Sequence, residues 1–180
     1  MISLEAKPLL RSACLMRRAL LLILGILIAT ALGTLGWIAV DLDRAGLSLA
    51  ELTGYGSAAL RVWQSVALGA ILLGHIVIWI AVVWRGQQIF AALLREDVEA
   101  ASMAAAQAAR LLWIMLIWGV LANTLAALVA TWHFPDGQRA LVISFGSAQI
   151  STVLAAVLAT FTSRAFVFGA ALWQDHKAVI

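Results

Sequence analysis

Four long apolar stretches without a single Asp, Glu, Lys or Arg dominate this sequence of 180 residues. They cover about residues 19–40, 62–84, 111–132 and 140–162, and each is about 22 residues long. At about 1.5 Å of rise per residue, a helix of that length crosses the ~30 Å hydrocarbon core of a bilayer. The sequence therefore predicts an all-α polytopic membrane protein with four transmembrane helices, called spans one to four in chain order.

Composition leaves little room for anything outside the membrane. Hydrophobic residues make up 64% of the chain and charged residues 12%, against about 25% charged residues in soluble domains. The ends and connections that remain outside the spans are too short to form a separate water-soluble core. We predict a single transmembrane domain over residues 1–180, with the lipid bilayer as its first partner.

The basic residues predict the orientation of the spans. Nine Lys and Arg residues fall on one side of the predicted membrane and three on the other. By the positive-inside rule, both termini and the 85–110 connection lie in the cytoplasm, and the 41–61 and 133–139 connections lie outside. The sequence pI near 9.8 reflects this flanking charge and not a nucleic-acid surface. The nine residues assigned to the cytoplasm are Lys7, Arg11, Arg17, Arg18, Arg85, Arg95, Arg110, Arg164 and Lys177.

The two outer connections differ in character. Pro135, Asp136 and Gly137 form a turn signal, which predicts a tight antiparallel hairpin between spans three and four. The 41–61 segment alternates apolar and polar residues around several glycines, which predicts a loop along the surface with one short helix. We therefore expect an antiparallel bundle of four spans with short outer connections.

The cytoplasmic connection between spans two and three has helical periodicity. Apolar side chains recur at three- and four-residue spacing from Ile89 to Val98, with charged residues on the other faces. The Ala-rich stretch 100–109 favours continuation of this helix into span three. The pattern predicts an amphipathic cytoplasmic helix, which either only connects two spans or serves as a docking face for a cytoplasmic protein.

One polar residue in each span lies close to the predicted midplane. Polar side chains are costly inside a bilayer, so their positions carry information. As structural residues they would hydrogen-bond between helices at ~0.6 kcal/mol per contact. As functional residues they would form a transport or sensing site around the histidine. The four residues are Thr30, His75, Asn123 and Gln149.

The sequence argues against a cofactor, a metal site or catalysis. His75 near the midplane and His133 at the outer edge are about 15–20 Å apart at helical rise, too far to ligate one heme iron. His, Cys and acidic residues show no ligand spacing, and Cys14 has no partner for a disulfide. Paired carboxylates or a Ser/His/Asp set at one depth are also missing. We predict a protein that is not an enzyme and binds no cofactor.

Three segments together resemble a known family. They are Arg85-Gly86-Gln87-Gln88-Ile89-Phe90, the Gly-Gln-Arg turn at 137–139 that leads into a Ser-containing fourth span, and the end of the chain from Phe168-Gly169-Ala170-Ala171-Leu172-Trp173. They resemble the YoaS-like group of bacterial four-span inner-membrane proteins, whose function is unknown. Gln174, His176 and Lys177 stand where that family favours acidic residues, and Ala91 stands where it has a capping Ser.

This resemblance implies four spans in a bacterial inner membrane and no established enzyme activity. Members of the family are frequently encoded beside a small helix-turn-helix regulator, which implies a cytoplasmic protein partner. The family supplies no catalytic residues that could be assigned to this chain.

Three function classes stay open, of which the third is an intramembrane enzyme, disfavoured by the missing catalytic sets. The first is a non-enzymatic interaction or regulatory protein that engages a cytoplasmic partner, with no direct contact to nucleic acid. The second is a small transporter or exporter component that uses the midplane polar residues. Small residues recur every four positions in several spans. Such faces allow helices to approach closely, so a homo-oligomer is possible. The fourth helix is expected to run to about Trp173, and the candidate docking residues are Phe90, Leu94, Arg95, Glu96, Phe168, Leu172 and Trp173.

Overall fold

The computed structural model describes residues 6–54, 60–95, 97–135, 139–143 and 145–178, with side chains described throughout except at 6–10, 170 and 172–178. These residues form five helices and contain no strand. Four helices are long and apolar enough to cross a membrane, which confirms the all-α class and agrees with the predicted number of spans. The helices are α1 (Ala6–Val40), α2 (Leu42–Glu51), α3 (Val62–Leu93), α4 (Val98–Ala130) and α5 (Ser147–Ala178).

The chain divides into two compact units. The first unit, here the basic unit, comprises residues 1–26, 80–113 and 152–180. The second, here the hairpin unit, comprises residues 27–79 and 114–151. Each of the four long helices contributes a segment to each unit. Both units are therefore built from segments of the same four long helices.

The short helix expected in the 41–61 segment is present as α2 in the hairpin unit. Asp41 caps its N-terminus, because a side-chain oxygen of Asp41 accepts a hydrogen bond from the backbone N–H of Arg44 at 3.1 Å. One face of α2 is buried and joins a small apolar core between α3 and α4. The core consists of Leu49, Ala50, Leu68 and Ala130.

Glycines allow close helix contacts at two points of the hairpin unit. Gly46 of α2 lies directly against Ser65 of α3, which leaves no room for a side chain. Gly74 of α3 lies under the indole ring of Trp118 on α4, where an added Cβ would sit 2.7 Å from a ring carbon. Both contacts depend on the missing Cβ and hold neighbouring helices at short distance.

The expected separate amphipathic helix between spans two and three is not observed. Residues Ile89 to Leu93 form the last turns of α3, and α4 begins at Val98, so the connection is a short turn. Asp97 ends the turn as the N-cap of α4, since its side chain accepts from the N–H of Ala100 at 2.9 Å. The Ala-rich stretch does continue into span three, because α4 is one helix from Val98 to Ala130.

The start predicted for the fourth span is wrong, whereas the tight hairpin turn expected at 135–137 lies partly outside the described residues and stays a prediction. Helix α4 ends at Ala130 and α5 begins at Ser147, later than the predicted start at 140, while Asp136 and Gly137 lie outside the described residues. The buried hydroxyl of Thr131 accepts from the N–H of Ala140 at 3.0 Å, and Thr124 donates to the carbonyl of Val142 at 3.0 Å. The hydroxyl of Thr124 on α4 and that of Thr131, the residue after this helix, thus hold a non-helical segment along the end of α4.

Helix α5 continues well past its apolar part. The stretch able to cross a membrane is Ser147–Gly169, whereas the helix runs to Ala178. This confirms the expectation that the fourth helix reaches Trp173. In the basic unit α5 contacts α4 through the indole N–H of Trp113, which donates to the hydroxyl of Thr160 at 3.2 Å.

Candidate functional site

Two of the four predicted midplane residues line one cavity in the hairpin unit. His75 on α3 and Asn123 on α4 both face a cavity of about 250 Å³. His75 is half-buried and Asn123 is exposed, so the cavity is open to the surface. The other lining residues are Leu49, Leu52, Thr53, Leu68, Ile71, Leu72, Ala122 and Ala126. The cavity is therefore apolar with a polar side chain on each of two helices, which suits an apolar group with one hydrogen-bonding end.

Thr30 and Gln149 do not line this cavity. Thr30 is exposed on α1, and its carbonyl accepts from the hydroxyl of Thr34 at 2.8 Å. Gln149 lies in the first turn of α5 and not near the middle of a span, because α5 begins at Ser147. Its side-chain oxygen accepts from the N–H of Gly146 at 2.9 Å, which makes it a helix cap. The structure brings His75 and Asn123 together and assigns Gln149 a local role.

The candidate docking residues are spread over the basic unit. Phe90 and Leu94 are half-buried, whereas Arg95 is exposed. Phe168 projects from α5 with 67% of its surface exposed. Glu96 lies outside the described residues, and Leu172 and Trp173 belong to α5 with side chains outside the described part.

A second cavity, not predicted from the sequence, lies in the basic unit and is here called the arginine cavity. Its volume is about 490 Å³, and three arginines from two helices and the α3–α4 turn line it together with one carboxylate. The sequence separates these arginines widely and shows no motif, so only the fold brings them together. The lining residues are Arg17, Arg85, Gln87, Gln88, Ala91, Ala92, Arg95, Asp97, Ala100, Met103, Ala104 and Gln107.

Within the described part of the chain, no group of three or more His, Cys, Asp and Glu residues is placed to hold a metal ion. Among the polar side chains that line the two cavities are guanidinium, carboxylate, amide and imidazole groups. Cys14 is half-buried on α1 as a free thiol.

Comparison of the chain with family models, with curated proteins and with solved structures finds no match.

Proposed function

We propose that this chain is a multi-pass protein of a bacterial inner membrane whose basic unit faces the cytoplasm and engages a cytoplasmic protein without catalysing a reaction. The observation that carries the proposal is the distribution of charge between the two units. All nine basic residues that the sequence assigns to the cytoplasmic side fall in the basic unit, and Arg44, Arg61 and Arg139 fall in the hairpin unit. By the positive-inside rule, this division supports an inside location for the basic unit and for both termini.

Helix length supports a surface that extends beyond the bilayer. The long helices contain 32 to 35 residues, whereas about 20 suffice to cross the hydrocarbon core. The uncharged run of α3 ends before Arg85, and that of α4 begins after Arg110. The turns of both helices beyond these uncharged runs therefore belong to the basic unit. In this orientation they would extend from the membrane into the cytoplasm.

The end of α5 supports a role in binding a partner. Phe168 is largely exposed and follows Arg164, and the helix continues to Ala178. A large aromatic side chain that is exposed on the fold and follows a basic residue is suited to a contact with another molecule. The resemblance to the YoaS-like group adds the class of partner, a small helix-turn-helix regulator.

Site-specific photocrosslinking in cells tests this proposal. With a benzophenone amino acid in place of Phe168, we expect an adduct with a cytoplasmic helix-turn-helix protein, identified by mass spectrometry. Leu154 of the same helix is the matched control, because it is 60% exposed but lies in the uncharged run before Arg164, whereas Phe168 follows that arginine. There we expect adducts with lipid or with the chain itself. Identical adducts at both positions, or an adduct with a periplasmic protein at 168, would contradict the proposal.

A second candidate function, a small transporter component, is favoured by the shared cavity of His75 and Asn123. We expect His75→Ala to lower proton flux into liposomes that carry the purified protein and a pH-sensitive dye, by about 10-fold if the imidazole relays the proton. Thr30→Ala, which changes an exposed residue outside the cavity, should leave the flux as it is. Equal flux for both variants and the unmodified protein removes His75 from any transport role.

A further inference from the structure

The arginine cavity concentrates positive charge with little compensation. Its described lining carries the three guanidinium groups of Arg17, Arg85 and Arg95 against the single carboxylate of Asp97. That carboxylate already accepts from the N–H of Ala100 as the cap of α4. Among the described residues, the three arginines form no ion pair within 4.0 Å. The cavity therefore offers guanidinium donors to an anion from outside the chain.

Two polar atoms in this lining have no hydrogen-bond partner among the described residues. They are the buried Nε of Arg17 and the Oε1 of Gln87. Gln87 is only 8% exposed, so its oxygen cannot be satisfied by bulk water. By contrast, Arg85 donates from Nη1 to Oε1 of Gln88 at 2.7 Å, which fixes its direction. A buried polar group without a partner is costly, and a bound ligand can supply the missing bond.

We propose that the arginine cavity binds a phosphate ester that carries a free hydroxyl group. A guanidinium matches phosphate oxygens with two parallel hydrogen bonds and stays charged at every physiological pH. The hydroxyl donates to Oε1 of Gln87, which an ionised phosphodiester cannot do because it carries no O–H group. A volume of about 490 Å³ is large enough for a glycerophosphate group. This inference does not depend on a protein partner.

Two sources can supply this chemistry: the headgroup of an anionic glycerophospholipid and a soluble phosphate ester. The surroundings of the cavity favour the lipid. Trp84 precedes Arg85 in α3, and Trp113 lies on α4 in the same unit, and both rings are exposed. Exposed indole rings are typical of the headgroup level of a membrane.

Binding of defined lipids to the purified full-length protein tests the proposal. The probes are phosphatidylglycerol, phosphatidylmethanol, which has the same charge but no hydroxyl, and phosphatidylcholine, each added to the protein in neutral detergent and quantified by native mass spectrometry. Glycerol 1-phosphate is the soluble probe. We expect phosphatidylglycerol to bind more tightly than the other two lipids. Equal binding of phosphatidylglycerol and phosphatidylmethanol would remove Gln87 from the site.

The chain offers a matched pair of variants in Arg17→Gln and Arg18→Gln. Both remove one positive charge from neighbouring positions of α1, but only Arg17 lines the cavity, whereas Arg18 is exposed. We expect Arg17→Gln to weaken phosphatidylglycerol binding about 10-fold or more, as for a lost charge-assisted bond. Arg18→Gln should change it by less than about 2-fold, because an exposed charge outside the cavity is screened by salt. Arg85→Gln serves as a second cavity variant if Arg17→Gln fails to fold.

The variants distinguish binding in the arginine cavity from general attraction to the basic unit. A loss with Arg17→Gln or Arg85→Gln and not with Arg18→Gln supports the cavity. If glycerol 1-phosphate binds with the same pattern at lower concentration than the lipid, the soluble ester is the ligand. Equal loss for Arg17→Gln and Arg18→Gln indicates attraction to the basic unit as a whole, and unchanged binding in every variant excludes the cavity as a phosphate site.

Discussion

Replacing Gly46 by alanine is expected to lower the free energy of unfolding by about 3 kcal/mol, the upper end of the range for overpacking a tight contact. Gly46 lies on the buried face of α2, and Ser65 opposite it on α3 is almost completely buried. A Cβ at position 46 would collide with the Ser65 side chain and come within 3.2 Å of its Cα. Rotation of the serine hydroxyl relieves only part of this, because the backbone of α3 would also have to move.

The expected consequence is that α2 leaves its place on α3 and α4. The core residues Leu49 and Ala50 belong to α2 and pack with Leu68 and Ala130, so a displaced α2 uncovers this core. Thermal unfolding in detergent, followed by tryptophan fluorescence, measures the change. Trp63 and Trp132 report locally, since their rings meet edge to face with centroids 6.1 Å apart.

Gly36→Ala is the matched control for this substitution. Gly36 also lies in a helix of the hairpin unit, but an added Cβ there meets nothing within 4 Å. We expect its stability to stay the same or to rise by about 0.5–1 kcal/mol, because alanine restricts the unfolded chain more than glycine does. Equal effects of Gly46→Ala and Gly36→Ala would show that the contact with Ser65 does not hold α2.

The spans could be predicted from the sequence because the hydropathy of each segment determines whether it can lie in a bilayer. Uncharged apolar runs of about 22 residues are long enough, as helices, to cross the hydrocarbon core of a bilayer. The predicted run from 62 to 84 falls within α3, and that from 19 to 40 falls within α1. Hydropathy does not determine where helices end, however, since α3 continues to Leu93 through charged and polar residues.

The start of the fourth span was predicted too early for an identifiable reason. Residues 140–143 are apolar, so hydropathy assigns them to a helix, but Val142 and Ile143 are β-branched and disfavour helix slightly. Thr131 and Thr124 then satisfy backbone groups of this segment outside a helix. These are tertiary hydrogen bonds, which no local sequence pattern predicts.

A glutamine is a local signal for the start of two helices. Gln64 is the third residue of α3 and Gln149 is the third residue of α5. Each accepts a hydrogen bond from the N–H of the residue before its helix, Arg61 and Gly146 respectively. A glutamine at this position is one half of a capping box. Reading Gln149 as a cap would have placed the start of α5 correctly and removed it from the midplane residues.

The cavities depend on contacts that sequence order does not reveal. His75 and Asn123 were predicted at one depth from helical rise alone, and they do line one cavity. The sequence does not predict the arginine cavity, because Arg17 and Arg85 lie far apart in the chain and each flanks a different span. Their joint position requires α1 and α3 to lie side by side, as the contact of Leu20 with Gly86 shows in the basic unit.

Gln64→Ala is expected to destabilise the protein by about 3 kcal/mol, from two lost hydrogen bonds and a new cavity. Gln64 is completely buried. Its Oε1 accepts from the N–H of Arg61 at 2.8 Å, and its Nε2 donates to the carbonyl of Val129 at 2.7 Å. One side chain thus caps the start of α3 and binds it to the end of α4, where carbonyls lack intrahelical donors.

Gln149→Ala separates the contribution of the capping bond from that of the bond between helices. Gln149 has the same place in α5 and makes the same capping bond to Gly146, but the bond is exposed. Its loss is expected to cost about 1 kcal/mol, as for other helix caps. The difference between the two variants, measured by thermal unfolding in the same detergent, then estimates the contribution of the bond to Val129 and of burial. If both variants lose the same stability, Gln64 acts only as a cap, and α3 and α4 are held together by the apolar core around Leu68 and Ala130.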